Sequence, residues 1–332
     1  MKENCDIYRE FAEKLRAAER VLLLPHVHMD GDAIGSAAAL CLGLRGLGRE
    51  AWILTAEETP ENLAFLEYSC VTQDAAVFPE GSYLALMVDC GTMNRIPGRE
   101  KAFYKAAARA VLDHHGVSGE QPSFDFGLTE PDSAACGELV WLVLEALGAE
   151  IDLRIANALF AAITTDTGNF QHSNTTKRSH EIMTRLYEVP GFNAKPVSSL
   201  IYDCNSFALL KLESRVVDQL RLYSGGKIGI GRVTQQMLRE TGCRMDETDG
   251  FVQKIMSIRG IEAACMLKES EPEVIRVSLR ARAYMNVADV AAQLGGGGHI
   301  RAAGATYHGT MEAAEETLAE LLIREEMRHE ES

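Results

Sequence analysis

The chain has 332 residues, with 33 Lys and Arg against 48 Asp and Glu, a net charge of −15 and a pI near 5.1. This length predicts about two domains, and 46% apolar residues with nine prolines supply packed cores and exclude disordered, collagen-like or mucin-like chain. So acidic a protein does not coat long nucleic acid, because counterion release needs rows of Lys and Arg facing phosphates; a nucleotide partner must be met locally, by a few cations or by metal.

The first twenty residues, MKENCDIYREFAEKLRAAER, predict a charged amphipathic helix without the apolar core of a secretory signal. No run approaches 18 uncharged apolar residues, which argues against a membrane span. The eight cysteines are scattered without a CxxC pair and are expected as reduced thiols, which points to the cytoplasm. The runs VLLLP (21–25), AWIL (51–54), YLALMV (83–88) and ARAVL (108–112) predict strands, several apolar enough to be buried on both faces. Helical patterns at 33–47, 134–147 and 155–164 alternate with or follow them. Such alternation predicts an α/β fold with a doubly wound, mostly parallel sheet.

EVPGFNAKP (188–196) predicts a break, and 197–220 a helical segment that bridges to a smaller α/β domain. That second domain is expected from RLYSGGKIGIGRV, ACMLKE and VIRVSLRARA, then GGGGH (295–299) and a terminal helix at 311–328. The expected boundaries are 1–189, a linker at 190–220, and 221–332. Residues 311–332 hold eight Glu and two Arg, so much of the negative charge is predicted to lie on a solvated helix.

In open parallel sheets the ligand crevice lies outside the carboxyl ends of the strands. VLLLP runs into His26, Asp30 and Asp32; YLALMV ends in Asp89; ARAVL ends in Asp113, His114 and His115; Asp166 follows an apolar helix. A lone Asp after a strand is more often a turn or cap residue, and Asp32 can simply cap the next helix. Convergence outweighs that reading. His26, Asp30, Asp32, Asp89, His114 and Asp166 are expected to face one crevice, where uncompensated carboxylates would repel one another unless cations sat among them. Oxygen ligands mixed with imidazoles, and no Cys, suit Mn²⁺ ahead of Zn²⁺, Co²⁺ or Mg²⁺. So many ligands imply two metals, with Asp89 the natural bridging carboxylate and phosphate-ester cleavage the natural chemistry.

The strings HVHMDGDAIGS, MVDCG, LDHHG and TTDTGNF, in this order, resemble the four motifs of the DHH phosphoesterase family. GGGGHIRAAGA resembles the signature of the DHH-associated C-terminal domain, and the whole is most similar to the nanoRNase and pAp phosphatase subgroup. The resemblance implies one metal on His26, Asp30 and Asp89 and a second on Asp32, Asp89, His114 and Asp166. Asp113 would orient a histidine and so fix the tautomer of a ligand. His115 would donate a proton to the leaving oxygen or hold a phosphoryl oxygen, with a structural histidine as the third reading. The chain departs from the family pattern at His28, Met29 and Asn169, none of them a metal ligand; His28 is expected to be structural or to support a ligand.

Gly296, Gly297 and Gly298 lack Cβ atoms, which lets backbone N–H groups approach an anion, and AAGA can start a helix packed against them. Arg280 and Arg282 stand at i and i+2, expected on one side of a strand where two guanidiniums can grip a phosphate. The resemblance assigns these residues and His299 to holding the substrate across an interdomain cleft; Arg301 is expected to be a surface charge. The expected activity is hydrolysis of RNA oligomers of about two to five nucleotides, and of pAp, by a hydroxide bridging two metals. Hydrolysis of cyclic di-AMP or pApA is the alternative. A homodimer is expected from the resemblance alone, and no long nucleic acid or membrane partner.

Overall fold

Apolar runs of four to six residues, each followed by a helical pattern, build the first half of the chain. The computed structural model describes residues 2–116, 121–248 and 250–330, and contacts divide the chain into two units, 1–204 and 205–332.

The first unit runs α1 (Lys2–Ala17), β1 (Arg20–Pro25), α2 (Gly31–Gly46), β2 (Glu50–Leu54), β3 (Val71–Thr72), β4 (Leu84–Val88), α3 (Glu100–Tyr104), β5 (Ala108–Asp113), β6 (Phe126–Thr129), α4 (Cys136–Leu147), α5 (Leu153–Asp166), α6 (Lys177–Leu186) and α7 (Ala194–Tyr202). Its six strands lie in the order β3-β2-β1-β4-β5-β6, every pair parallel. Along β1, Val21 and Leu23 enter the core shared with α1, α2, α4 and α5, while Leu22 and Leu24 enter a second core with Met87, Phe103 and Val111. Burial on both faces explains why these strands read as unbroken apolar runs. The doubly wound parallel sheet is thus as expected. The two edge strands, β3 and β6, are short and weakly apolar and carry no such signal.

The strand order reverses between β1 and β4, the switch point where ligands bind in open α/β sheets. His26 directly follows β1 and Asp89 directly follows β4.

The second unit runs α8 (Phe207–Asp218), β7 (Arg221–Tyr223), β8 (Ile228–Val233), α9 (Gln235–Thr241), α10 (Phe251–Met256), β9 (Ala263–Glu271), β10 (Val274–Ala281), α11 (Val287–Ala292), β11 (Gly297–His299), β12 (Ala302–His308) and α12 (Met311–Glu330). Its sheet is ordered β11-β12-β10-β9-β8-β7, with only β8 and β9 parallel.

Three expectations are corrected. The helical segment predicted at 197–220 is two helices, α7 and α8, because the Ser206 side chain accepts the Leu209 N–H and starts a new helix. AAGA does not open a helix: it lies in β12, which pairs with β11 as a hairpin. The terminal helix is not simply solvated. Glu315, Glu325 and Glu326 are buried, Glu315 against Tyr223 and Arg221 and Glu326 against Lys227, because α12 docks through Leu318 and Leu322. Seven cysteines, Cys41 through Cys265, are free thiols, and no helix among the described residues is long and apolar enough to cross a membrane.

Candidate metal centre and substrate face

After β1 the chain turns through His26 to Asp30, and the Asp30 side chain accepts the Ala33 N–H as the N-cap of α2. Asp30, not Asp32, is therefore the cap. Asp32 sits inside the helix, completely buried, accepting the N–H groups of Cys136 (2.6 Å) and Gly137 (2.9 Å) and the Ser36 hydroxyl (2.7 Å). Asp166 is the last residue of α5, which packs closely on α2. That approach requires glycine: a Cβ on Gly35 would lie 2.6 Å from the Ala158 carbonyl oxygen, and one on Gly31 2.4 Å from the Thr165 side chain.

Asp89 adopts φ = 61°, a left-handed conformation rare for a residue with a side chain and concentrated at functional sites. Its carboxylate is almost fully buried (1% exposed) and faces two ways. Oδ2 lies 3.4 Å from His26 Nε2, and Oδ1 lies 3.4 Å from His114 Nε2. His26 Nε2 is also 3.7 Å from Asp30, and His114 Nε2 is 3.6 Å from Asp32 and 3.1 Å from Asp166. Asp32, His114 and Asp166 form one group whose atoms could hold a metal ion, His26, Asp30 and Asp89 a second, and Asp89, His114 and His115 a third that joins them.

Both ligand imidazoles are turned the same way. His26 Nδ1 faces the Val27 carbonyl at 2.8 Å and His114 Nδ1 the Ser133 carbonyl at 3.1 Å. A carbonyl only accepts, so each Nδ1 carries a proton and each Nε2 is the ring atom turned to the carboxylates. Asp89 Oδ1 and His114 Nε2 are buried with no hydrogen-bond partner. Orphaned polar atoms aimed at one another are costly unless something cationic lies between them. Where no cation does, burial opposes protonation of His114, but Asp166 and Asp89 push its pKa up to about 12; burial likewise opposes protonation of His26, whose pKa Asp30 and Asp89 push up to about 10. Burial, then the charges of Asp89 and Asp166, push Asp32 well above the carboxylate range. The donor set fits divalent cations.

Asp113 does orient a histidine, but the histidine is His115: its Nδ1 lies 2.8 Å from Asp113 Oδ1, a bond that raises its pKa, and His114 is held by Ser133 instead. His115 is half exposed, and its Nδ1 also lies 3.7 Å from Asp89 Oδ1. His28 is exposed with φ = 55°, its ring turned to Glu57 and away from the cluster. Local patterns carry no sign of Arg99. This buried residue donates to the carbonyls of Pro25 (2.7 Å) and Leu54 (2.9 Å) and pins the ends of β1 and β2 beside His26.

In the second unit, register places His299 opposite Ala302 and Ala302 opposite Arg280, so His299 and Arg280 share one face of the sheet, about 10 Å apart across β12. The next row on that face is Gly297, Gly304 and Ser278. The result is a shallow bed of small residues flanked by a guanidinium and an imidazole. Arg280 is half-buried, burial pulls its pKa down, and it has no acidic partner among the described residues. Arg282 does not join it. The strand ends at Ala281, and the Arg282 guanidinium donates to the backbone carbonyls of Ile261 (2.9 Å) and Met256. Arg301 likewise binds the carbonyls of Met285 and Ala283. Gly296 and Gly298 are needed by the hairpin itself, where a Cβ would lie 2.2 Å from the Gly304 oxygen and 2.5 Å from the Ala302 oxygen, whereas Gly297 borders open space.

Residues 20–163 match the DHH family N-terminal domain, and residues 229–325 match the DHHA1 domain. The bifunctional oligoribonuclease and PAP phosphatase NrnA of Thermus thermophilus is 32% identical, over 96% of this chain and 94% of its own. The Bacillus subtilis protein of the same name is 26% identical, over 94% and 96%. An exopolyphosphatase-related protein from Bacteroides fragilis has the same fold, with a TM-score of 0.86 over 96% of both chains at 21% identity.

Proposed function

This chain belongs to the DHH phosphoesterase family, and from that premise we propose that it binds two divalent cations, most simply Mn²⁺, and hydrolyses short oligoribonucleotides to mononucleotides and pAp to AMP and phosphate. The observation that carries the reading is the Asp89 carboxylate, whose two oxygens each face a different histidine and so a different ligand set. When bound, the cations supply Lewis acidity, lowering the pKa of a water and neutralising phosphoryl oxygens. The chain's own residues do the rest. His26 and His114 present Nε2 because a carbonyl holds Nδ1; Asp32 is fixed by two backbone N–H groups; Asp113 holds His115 so that Nε2 can give a proton to the leaving oxygen. In the second unit Arg280 and His299 hold a substrate phosphate over Gly297, which supplies the anionic partner that the desolvated Arg280 lacks among the described residues.

A substrate panel tests this. A dinucleotide and pAp are expected to be turned over with Mn²⁺, the activity being lost in EDTA and restored by Mn²⁺. A strong preference for cyclic di-AMP or pApA over both would overturn the substrate assignment. Arg280→Ala is expected to raise KM for pAp about 10- to 100-fold, the worth of a hydrogen bond to a charged group, with a smaller change in kcat. Gly297→Val is expected to raise KM without lowering Tm, whereas Gly296→Ala, which meets backbone, lowers Tm.

A further inference from the structure

Segment 133–137, which leads into and begins α4, hydrogen-bonds two residues of one ligand set and reaches the third through Asn174. The Ser133 carbonyl accepts from His114 Nδ1 (3.1 Å), and the N–H groups of Cys136 and Gly137 donate to the two oxygens of Asp32. The third link is Asn174, whose side-chain amide donates both to the Ala134 carbonyl (3.0 Å) and to the carbonyl of Asp166 (3.1 Å).

The segment is itself held by Glu138, a completely buried carboxylate. Glu138 Oε2 accepts from the Ser133 hydroxyl (2.9 Å) and the Ala134 N–H (3.3 Å), and Oε1 accepts from the Ser179 hydroxyl of α6 (2.5 Å). Of the other ligand set, Asp89 is shared, since its Oδ1 faces His114, but His26 and Asp30 take no part in this. His26 is oriented by the carbonyl of Val27 and Asp30 by the N–H of Ala33, all within residues 26–33.

We infer that Glu138, through the 133–137 segment, is a positioning residue for one metal site only, the one formed by Asp32, His114 and Asp166. The inference rests on the metal-centre reading above. A buried carboxylate gathering three donors is costly to leave half-paired, so its loss frees the segment. The carbonyl and N–H groups that aim His114 and Asp32 then move with it, while His26 and Asp30 stay in place. The site near Asp32 and His114 depends on contacts more than a hundred residues apart in sequence for Asp32, whereas His26 and Asp30 of the other are oriented within a single turn.

Calorimetric titration of the full-length, metal-free protein with Mn²⁺ tests this. Wild type is expected to show two sites. Glu138→Ala is expected to weaken one of them about 10- to 100-fold, the usual effect of removing a group that orients a ligand, and to leave the other within about twofold. Glu138→Gln should restore most of the affinity, since its amide oxygen can accept from Ser133 and Ala134 while its NH₂ donates to Ser179. Asn174→Ala, at an exposed residue, should weaken the same site, and it carries the test if Glu138→Ala does not fold. Placed in a His114→Ala background, Glu138→Ala should have no further effect on the remaining site; in a His26→Ala background it should weaken what is left. Two wild-type sites in a folded Glu138→Ala protein, equal weakening of both sites, or failure of Gln to rescue would each overturn the inference while leaving the metal reading intact. Absence of Mn²⁺ binding by wild type would overturn both.

Discussion

Asp89→Asn is expected to reduce kcat on a dinucleotide by at least about 10³-fold, equivalent to several kcal/mol of the charge stabilisation that a pair of cations supplies. The substitution keeps size and shape but removes the one charge common to both ligand sets, since Oδ2 faces His26 and Oδ1 faces His114. Stability should move the other way. Asp89 is almost fully buried and its Oδ1 has no hydrogen-bond partner, so in EDTA the Asn variant is expected to melt at or above the wild-type temperature. Measured together, kcat in Mn²⁺ and Tm in EDTA separate the loss of a ligand from the loss of a fold. An Asn variant that turns over at the wild-type rate would remove Asp89 from the centre.

Gly35→Val is expected to damage both stability and turnover. A Cβ at position 35 would lie 2.6 Å from the backbone oxygen of Ala158 and 3.0 Å from the backbone nitrogen of Ala162, so no side-chain rotation relieves the clash and α2 must move off α5. Overpacking of this kind costs about 1–3 kcal/mol, or a Tm lower by roughly 2–12 °C in a unit of this size. Because α2 carries Asp32 and α5 ends in Asp166, the same displacement separates two ligands of one site. Activity should therefore fall further than the fraction of folded protein accounts for. Gly46→Ala, on the same helix with open space around it, serves as the control and should leave Tm unchanged or slightly raised. Equal behaviour of the two variants would show that the close approach of α2 and α5 does not set the geometry.

The parts of the site that were legible in the sequence are those carried by local pattern. His26, Asp89 and His114 each follow an apolar run, and an apolar run of that length is a buried strand whichever partner it pairs with. Helix α5 was legible for the same reason, with Asp166 as its last residue. Other features were not legible. Arg280 and Arg282 have the spacing of neighbours on one strand face, but the strand stops at Ala281 and Arg282 turns to the carbonyls of Ile261 and Met256. AAGA has the composition of a close-packed helix start, yet its alanines and glycine serve a hairpin in which Gly296 and Gly298 pass too near the backbone of β12 for any side chain. Glutamates at the end of the chain look solvated until α12 docks and buries three of them.

By itself the sequence determined the alternating α/β architecture of the first unit, the carboxyl-end placement of the candidate ligands and their chemical type, because hydrophobic periodicity and residue identity are local properties. Tertiary structure alone decided which oxygen of Asp89 faces which histidine, which histidine Asp113 holds, and where Glu138, Asn174 and Arg99 make their hydrogen bonds. Those outcomes depend on strand register, on the close packing of α2 against α5, and on hydrogen bonds between groups as far apart as Asp32 and Cys136. Such bonds are short in space but distant along the chain, and their geometry exists only once the sheet has assembled.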